Sequence, residues 1–280
     1  MNPPRKAWLA AFFLLAGLVM SISCAPAPGG ALKRARDLNA RMTLLYYAGR
    51  YAEAIPLAEE ALAIREKALG PEQLELAASL SNLARLYQQQ RRYSEAEPLY
   101  TRALSIQEKN HDPNHPDVAM ILKDLAQLHY VQRNFAQAEP FFRRALEIDE
   151  KIQGPDHPDV AKGLNNLAIL YVWTGRCDEA EPLFKHALAI WAKTSCPDEQ
   201  CLAASLSGLA VVYDVQGRYA EAEPLYSRTL AIWGKKANGS NQTDLVAALE
   251  TMAKVYYQMN RVPEAEALEL RAARIRAMKR

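Results

Sequence analysis

The sequence LNNLAILY at residues 164–171, followed by CDEAEPLF at residues 177–184, decides the fold. Leu164, Leu167 and Tyr171 recur at intervals of three and four residues, so they line one stripe of a helix. The second segment has the same spacing of small and large apolar residues. The two segments therefore predict a pair of amphipathic helices joined by a short turn.

Related copies of both segments recur along the chain. The tripeptide Ala-Glu-Pro returns every 42 residues, with its glutamate at Glu97, Glu139, Glu181 and Glu223. A unit that recurs at a fixed spacing stacks on copies of itself and buries apolar surface that one copy cannot bury alone. We therefore predict an all-α solenoid of about six antiparallel helix pairs. The copies of the first segment read LSNLARLY (80–87), LKDLAQLH (122–129), LSGLAVVY (206–213) and LETMAKVY (249–256).

The residue order within each pair identifies the kind of repeat, because a period of 42 also fits HEAT and armadillo units. The order large, large, small, aromatic in the first helix, then small, large in the second, resembles the tetratricopeptide repeat (TPR). The resemblance covers about residues 31–280. The long unit and the connector GPDHPDVA (154–161) resemble the repeats of kinesin light chains and their bacterial relatives. This resemblance implies a right-handed TPR superhelix that binds proteins.

The chain divides into three parts on this interpretation. Residues 1–24 are predicted to be a signal peptide, residues 25–30 a short linker, and residues 31–280 the solenoid. The helix pairs are expected at about 31–68, 72–110, 116–152, 158–194, 199–236 and 243–280.

The N-terminus has the features of an export signal. Arg5 and Lys6 precede an apolar run that ends at Met20, and small residues follow it. The segment resembles a bacterial lipoprotein signal with Cys24 as the acylated residue. Because Ala25 follows the cysteine, the resemblance implies a lipoprotein of the bacterial outer membrane that faces the periplasm. Ordinary cleavage and an uncleaved N-terminal membrane anchor are the alternatives.

The composition argues against several classes of function. Lys and Arg number 34 and Asp and Glu 32, for a formal charge of +2 to which Arg5 and Lys6 contribute. Such a balance lacks the basic footprint of a nucleic-acid binder. The chain offers no recognisable arrangement of nucleophile and base and no glycine-rich phosphate loop. We therefore expect neither catalysis, nor a cofactor, nor a small-molecule substrate.

Two clusters in the connectors allow other interpretations. His111 and His115 lie among acidic residues and form the basis of an alternative, a metal-dependent enzyme, although the other connectors lack the second histidine. The sequence therefore favours no metal site. Cys196 and Cys201 lie in one connector, and an exported protein meets oxidising conditions, so a disulfide between them is a hypothesis.

The candidate binding surface is the polar stripe on the first helix of each pair. In TPR proteins this stripe lines the concave wall. An asparagine amide both donates and accepts hydrogen bonds, so it can bind the backbone of a peptide. In kinesin-light-chain-type repeats an asparagine of this block has that role, and Asn82 and Asn166 stand in equivalent places. The predicted peptide-binding residues are Asn82, Arg85, Lys123, Asp124, Gln127, Asn165, Asn166 and Trp173.

The sequence therefore predicts a non-catalytic scaffold for a peptide or protein partner, held at a membrane by an N-terminal lipid. Two alternatives remain open for the polar stripe. In the first, the stripe is an ordinary solvated helix face. In the second, the chain is a structural subunit of an envelope assembly and uses its convex face or its end repeats instead of the stripe.

Overall fold

A computed structural model describes residues 28–194, 199–235 and 242–277. These residues form twelve α-helices, and this described part contains no strand. The predicted signal peptide, Cys24 and Cys196 lie outside the described residues. The helices are α1 Pro28–Tyr47, α2 Tyr51–Leu69, α3 Leu74–Gln89, α4 Tyr93–Asn110, α5 Pro116–Val131, α6 Phe135–Gln153, α7 Pro158–Trp173, α8 Cys177–Lys193, α9 Glu199–Val215, α10 Tyr219–Lys235, α11 Gln242–Gln258 and α12 Val262–Ala277.

Consecutive helices form six pairs, and each pair packs on the next one along the chain. The most extensive contacts join the two helices of a pair, from α1 with α2 to α11 with α12. The predicted all-α solenoid of about six helix pairs is therefore confirmed. Within the described residues, none of the helices has the length and hydropathy that a membrane crossing requires.

The core lies between the apolar stripes of the helices. Leu167, Tyr171 and Phe184 are each at most 3% exposed. Ala168 is fully buried, and a larger side chain there would overpack the contact between α7 and α8. Alanine holds the equivalent place in the neighbouring pairs, at Ala84, Ala126, Ala210 and Ala253.

The turns between paired helices require a left-handed backbone conformation. Gly175 has φ of 75°, and Asn260 has φ of 58°. Arg91 and Arg133 adopt φ of 58° and 61° in the corresponding turns, although a side chain disfavours that conformation. The turn geometry is therefore kept even where the sequence offers no glycine.

The connectors that precede α5 and α7 end in a helix cap built by histidine. Nδ1 of His115 accepts a hydrogen bond from the backbone amide of Asp117, and Nδ1 of His157 accepts one from the backbone amide of Asp159, each at 3.2 Å. A proline follows each histidine at the first helical position, where its missing N–H costs nothing. His115 therefore has a structural role in starting α5.

A network of tyrosine, glutamate and arginine joins the last four pairs to one another, and we call it the Tyr–Glu–Arg ladder. Glu181 of α8 accepts hydrogen bonds from Tyr213 Oη at 3.4 Å and Arg218 Nη1 at 2.9 Å. The Arg218 guanidinium also lies 4.0 Å from the centroid of the Tyr213 ring, a cation–π contact. The same arrangement links Glu139 with Tyr171 and Arg176, and Glu223 with Tyr256 and Arg261.

The ladder is complete only from the third pair onward. At the first junction Tyr87 donates to Glu59, because Ile55 holds the place of the ladder glutamate. At the second junction, between the second and third pairs, the ladder is absent. His129 replaces the tyrosine, and its Nε2 lies 3.8 Å from Glu97. Asn134 stands where the other pairs have arginine. His129 is buried, and its Nδ1 has no hydrogen-bond partner among the described residues. This junction therefore lacks both the cation–π contact and the charged hydrogen bond.

Replacing Glu181 by glutamine tests the ladder. Lys185 and Arg218 hold the pKa of Glu181 below its ordinary value of 4.5. Because the pKa is lowered in the folded protein, the ionised carboxylate stabilises the folded state at pH values above the ordinary pKa. This contribution is lost as the pH falls through the lowered pKa. We expect Glu181→Gln to lower the free energy of unfolding by about 1 kcal/mol near neutral pH, and by less in acid, in urea denaturation.

Glu53→Gln is the matched control, since Glu53 is more exposed and its carboxylate pairs with Arg50 at the start of its own helix, outside the ladder. An exposed pair of this kind contributes only about 0.5 kcal/mol. Equal losses in the two variants would contradict the special role of Glu181.

Completing the ladder should stabilise the protein. In the double variant His129→Tyr/Asn134→Arg, the tyrosine can donate to Glu97 and the arginine can lie over its ring. We expect the free energy of unfolding to rise by about 1 kcal/mol beyond the sum of the two single variants. Thermal and urea denaturation of all four proteins measure this coupling, and strict additivity would show that the two side chains do not meet.

Candidate functional site

The odd-numbered helices line the inner side of the stack. The first helices of successive pairs contact each other directly, α3 with α5 and α7 with α9. Among the described residues, no contact of that extent joins two even-numbered helices. Odd helices therefore lie closer together, as on the concave side of a curved stack. All eight predicted peptide-binding residues belong to α3, α5 and α7.

The two neighbouring asparagines of α7 have different environments. Asn165 is 8% exposed, and its Oδ1 has no hydrogen-bond partner among the described residues. Ser81, at the aligned position of α3, is buried in the same way. Asn166 is half-buried and lines a cavity. The side chain of Asn165 is thus directed into the stack, and Asn166 is the one open to a partner.

A cavity of about 160 Å³ with both polar and apolar lining lies among α5, α6 and α7. Lys123, Asp159, Lys162 and Asn166 contribute to its walls. The Nζ atom of Lys123 lies 2.9 Å from Oδ1 and 2.6 Å from Oδ2 of Asp149, which is buried. Lys123 is therefore the counterion of a buried carboxylate as well as a cavity residue.

Asp149 is a residue that the sequence analysis missed. It stands on α6 where the neighbouring pairs carry Gln107 and Trp191, so an acid at this otherwise buried position was the available signal. A buried carboxylate requires a charged partner. Removing Lys123 would leave that carboxylate unpaired.

Arg85 and Asp124 form an ion pair across α3 and α5. The Nε and Nη2 atoms of Arg85 lie 3.1 Å and 2.8 Å from Oδ2 of Asp124. Burial raises the pKa of the Asp124 carboxyl, and the Arg85 guanidinium opposes that rise. Asp124, which replaces an asparagine of the aligned row, thus ties two pairs together on the inner wall.

The first part of the inner wall holds a second cavity, of about 120 Å³, between α1 and α3. Asn82 and Arg85 form one side, and Tyr46 and Tyr47 form the other. Tyr47 is 84% exposed. Polar and aromatic groups therefore meet at this end of the wall.

An apolar pocket of about 440 Å³ lies further along, between α7 and α9. Trp173 stands at it and is 56% exposed, whereas Phe184 of α8 is fully buried. Gly208 also lines it, at the position aligned with Asn82 and Asn166. The sequence analysis found Trp173 but not this pocket. The remaining predicted residue, Gln127, is exposed on α5.

The histidine cluster of the connector between α4 and α5 is the alternative metal site. His111, His115 and Asp117 offer ligand atoms within 4.8 Å of one another. However, Nδ1 of His115 already accepts the helix-capping amide. The two imidazole rings are stacked, with centroids 3.9 Å apart and planes 5° apart, so their in-plane lone pairs run parallel instead of converging on one ion. This arrangement does not suit metal coordination without rotation of a ring.

The predicted covalent sites lie at least partly outside the described residues. Cys24, the predicted lipidation site, precedes α1. Cys201 lies on α9, and Cys196, its predicted disulfide partner, falls between residues 194 and 199. Both assignments remain predictions.

Comparison with known proteins places these features in a family. A family model of the tetratricopeptide repeat matches residues 39–109, 90–151, 117–193 and 201–277. A search of curated proteins gives no significant match.

Solved structures agree with this assignment. The nearly identical TPR-like repeats attributed to a kinesin light chain of Podosopora anserina are 28% identical, with a TM-score of 0.63 over 74% of this chain and 99% of that one. BtubC (BKLC) from P. vanneervenii is 24% identical, with a TM-score of 0.64 over 90% of each chain. PilF of Pseudomonas aeruginosa shares the fold at 15% identity, with a TM-score of 0.61 over 88% of this chain and 93% of that one.

The resemblance to kinesin-light-chain-type TPR proteins is thus confirmed. This fold typically serves as a scaffold for protein–protein interactions and not for catalysis. Since the matched segments cover most of the chain, the protein belongs to the tetratricopeptide repeat family.

Proposed function

We propose that this protein is a non-catalytic scaffold that binds a peptide or protein partner along its concave wall, and that a lipid on Cys24 holds it at a bacterial outer membrane. The observation that carries the first part is the row of cavities between successive odd helices. In the described part of the chain, such cavities lie between α1 and α3, among α5, α6 and α7, and between α7 and α9. Concave sites with a few polar groups are the usual places for ligands.

The wall offers both kinds of contact that a peptide needs. Asn82 and Asn166 have amides that can bind a peptide backbone. Trp173 offers an exposed aromatic surface, and aromatic residues are frequent anchors at interfaces. A solvated helix face without a partner needs neither the cavities nor the exposed tryptophan.

The alternative role, a structural subunit that stacks through its end repeats, has less support. In α12, Glu269 and Arg276 occupy positions where α10 has Tyr226 and Trp233. Both replacements are exposed. In α1, the exposed residues Arg34, Asp37 and Arg41 make one surface polar. Polar outer surfaces of this kind are typical of capping repeats, which end a stack.

Export and lipid attachment are proposed from the N-terminal sequence alone. The basic residues, the apolar run and Cys24 are as expected for a lipoprotein signal. An acyl chain would hold the scaffold at a membrane, while the groove stays open to a soluble partner. An uncleaved anchor is the competing topology.

Substitution of the two open asparagines tests the groove. A displayed dodecapeptide library is panned on the purified protein, and the selected peptides are measured by fluorescence anisotropy. We expect Asn82→Ala/Asn166→Ala to weaken binding about tenfold, because two backbone-binding amides are lost. Lys123 is left intact, since its removal would also unpair Asp149.

Gln137→Ala is the control, because Gln137 is an exposed amide on the even-numbered helix α6. It should bind like the parent protein, and circular dichroism should show the same helix content in all three. Equal binding by the parent and the double variant would place the partner on another face.

Replacing Cys24 by alanine tests the anchor. In a bacterial host, we expect tritiated palmitate to label the parent protein and Cys177→Ala, but not Cys24→Ala. The label should accompany the membrane fraction after an alkaline wash. An unlabelled parent whose mature mass still includes residues 1–23 would instead identify an uncleaved anchor.

A further inference from the structure

The apolar pocket between α7 and α9 depends on a glycine. Asn82, Asp124 and Asn166 hold the aligned positions of α3, α5 and α7, whereas α9 has Gly208. A Cβ atom on Gly208 would lie 2.3 Å from Cζ of Phe184, closer than any real contact. The ring of Phe184 therefore extends under Gly208 and forms the floor of the pocket.

The walls of the pocket are apolar and partly held in place. Ile169, Val172, Val211 and Trp233 line it together with Trp173. The Trp173 ring stacks on Phe135, with centroids 6.4 Å apart, and the Arg133 guanidinium carbon lies 5.5 Å from its centroid. These contacts fix the ring even though more than half of its surface is exposed.

The pocket carries no charge among the residues that line it, all of which the structure describes. Gln200 and Ser207 are its polar members. The preceding part of the wall is different, since Arg85 pairs with Asp124 and Lys123 with Asp149. A charged group that entered the pocket would lose hydration without gaining a counterion. The pocket is therefore complementary to an uncharged side chain.

We propose that this pocket binds one bulky uncharged side chain, aromatic or branched aliphatic, of the peptide that occupies the groove. The inference rests on the proposed function and adds an anchor position to it. The volume of about 440 Å³ falls in the range of sites that enclose small organic groups. Trp173 and Trp233, which both keep exposed surface at the pocket, supply the aromatic contacts that give such anchors their affinity.

The peptide library also tests this anchor. The peptides selected on the parent protein are resynthesised with alanine, leucine, phenylalanine, tryptophan or glutamate at each position in turn. We expect one position to require a bulky uncharged residue, with glutamate there weakening binding about tenfold or more.

Two variants link that requirement to the pocket. Ala204→Glu places a carboxylate in the pocket lining, and Trp173→Ala removes an exposed wall with little risk to folding. Both should remove the preference at the anchor position and weaken binding about tenfold. Ala189→Glu, the same change at an exposed site of α8 outside the pocket, should leave binding and preference unchanged.

The outcomes separate the anchor from the groove. Peptides that bind without any apolar requirement, or that bind Ala204→Glu and Trp173→Ala like the parent, would overturn the anchor and leave the groove standing. Failure of every peptide to bind would overturn the groove itself. A dimer that Trp173→Ala dissociates, or a pocket that opens to peptides only after residues 1–24 are deleted, would also overturn the proposal, because another copy or the chain's own N-terminus would then be the occupant.

Discussion

The structure depends on burial of the apolar stripe of each pair against the next one, and from the third pair onward a glutamate fixes that contact by accepting hydrogen bonds from a tyrosine and an arginine. Glu181 lies on the second helix of one pair, and Tyr213 and Arg218 lie in the following pair. The tyrosine contributes an apolar ring to the core and a hydroxyl to the glutamate, and the arginine covers that ring. A stack whose units meet only through such neighbours can be long and open, because no residue need contact a distant repeat.

The helix pairs were predictable because their cause is local. Leu167, Ala168 and Tyr171 have the spacing of one buried stripe, and repetition of that spacing reduces the ambiguity of a single segment. The ladder was visible in the sequence only as a recurring Ala-Glu-Pro. Its physical meaning requires knowing which residue of the next pair stands above each glutamate, and that depends on the rotation between pairs.

The candidate site was less predictable for the same reason. Asn165 and Asn166 differ by one residue, which is about 100° around a helix. Only the packing of the neighbouring pair decides which of them is covered, and it covers Asn165. Asp149 was hidden because the second helix of a pair contributes no residue to the expected groove stripe. In the sequence, Gly208 only replaces an amide of the aligned row, whereas in the structure its missing side chain gives room to Phe184.

The junctions between helix pairs and the inner wall both change along the chain. The junction that lacks the ladder, at His129, also lies where the buried residues divide into two large clusters, one ending at Leu128 and the other beginning at Ala126. One aligned position of the inner wall is polar in the earlier pairs, as Arg85 and Gln127. It is apolar in the later pairs, as Ile169 and Val211. The wall therefore changes from ion-paired to apolar across the same stack of helices. The buried stripe of Leu167, Ala168 and Tyr171 holds the helices together without Ile169, so this wall position can become specific for one guest without altering the fold.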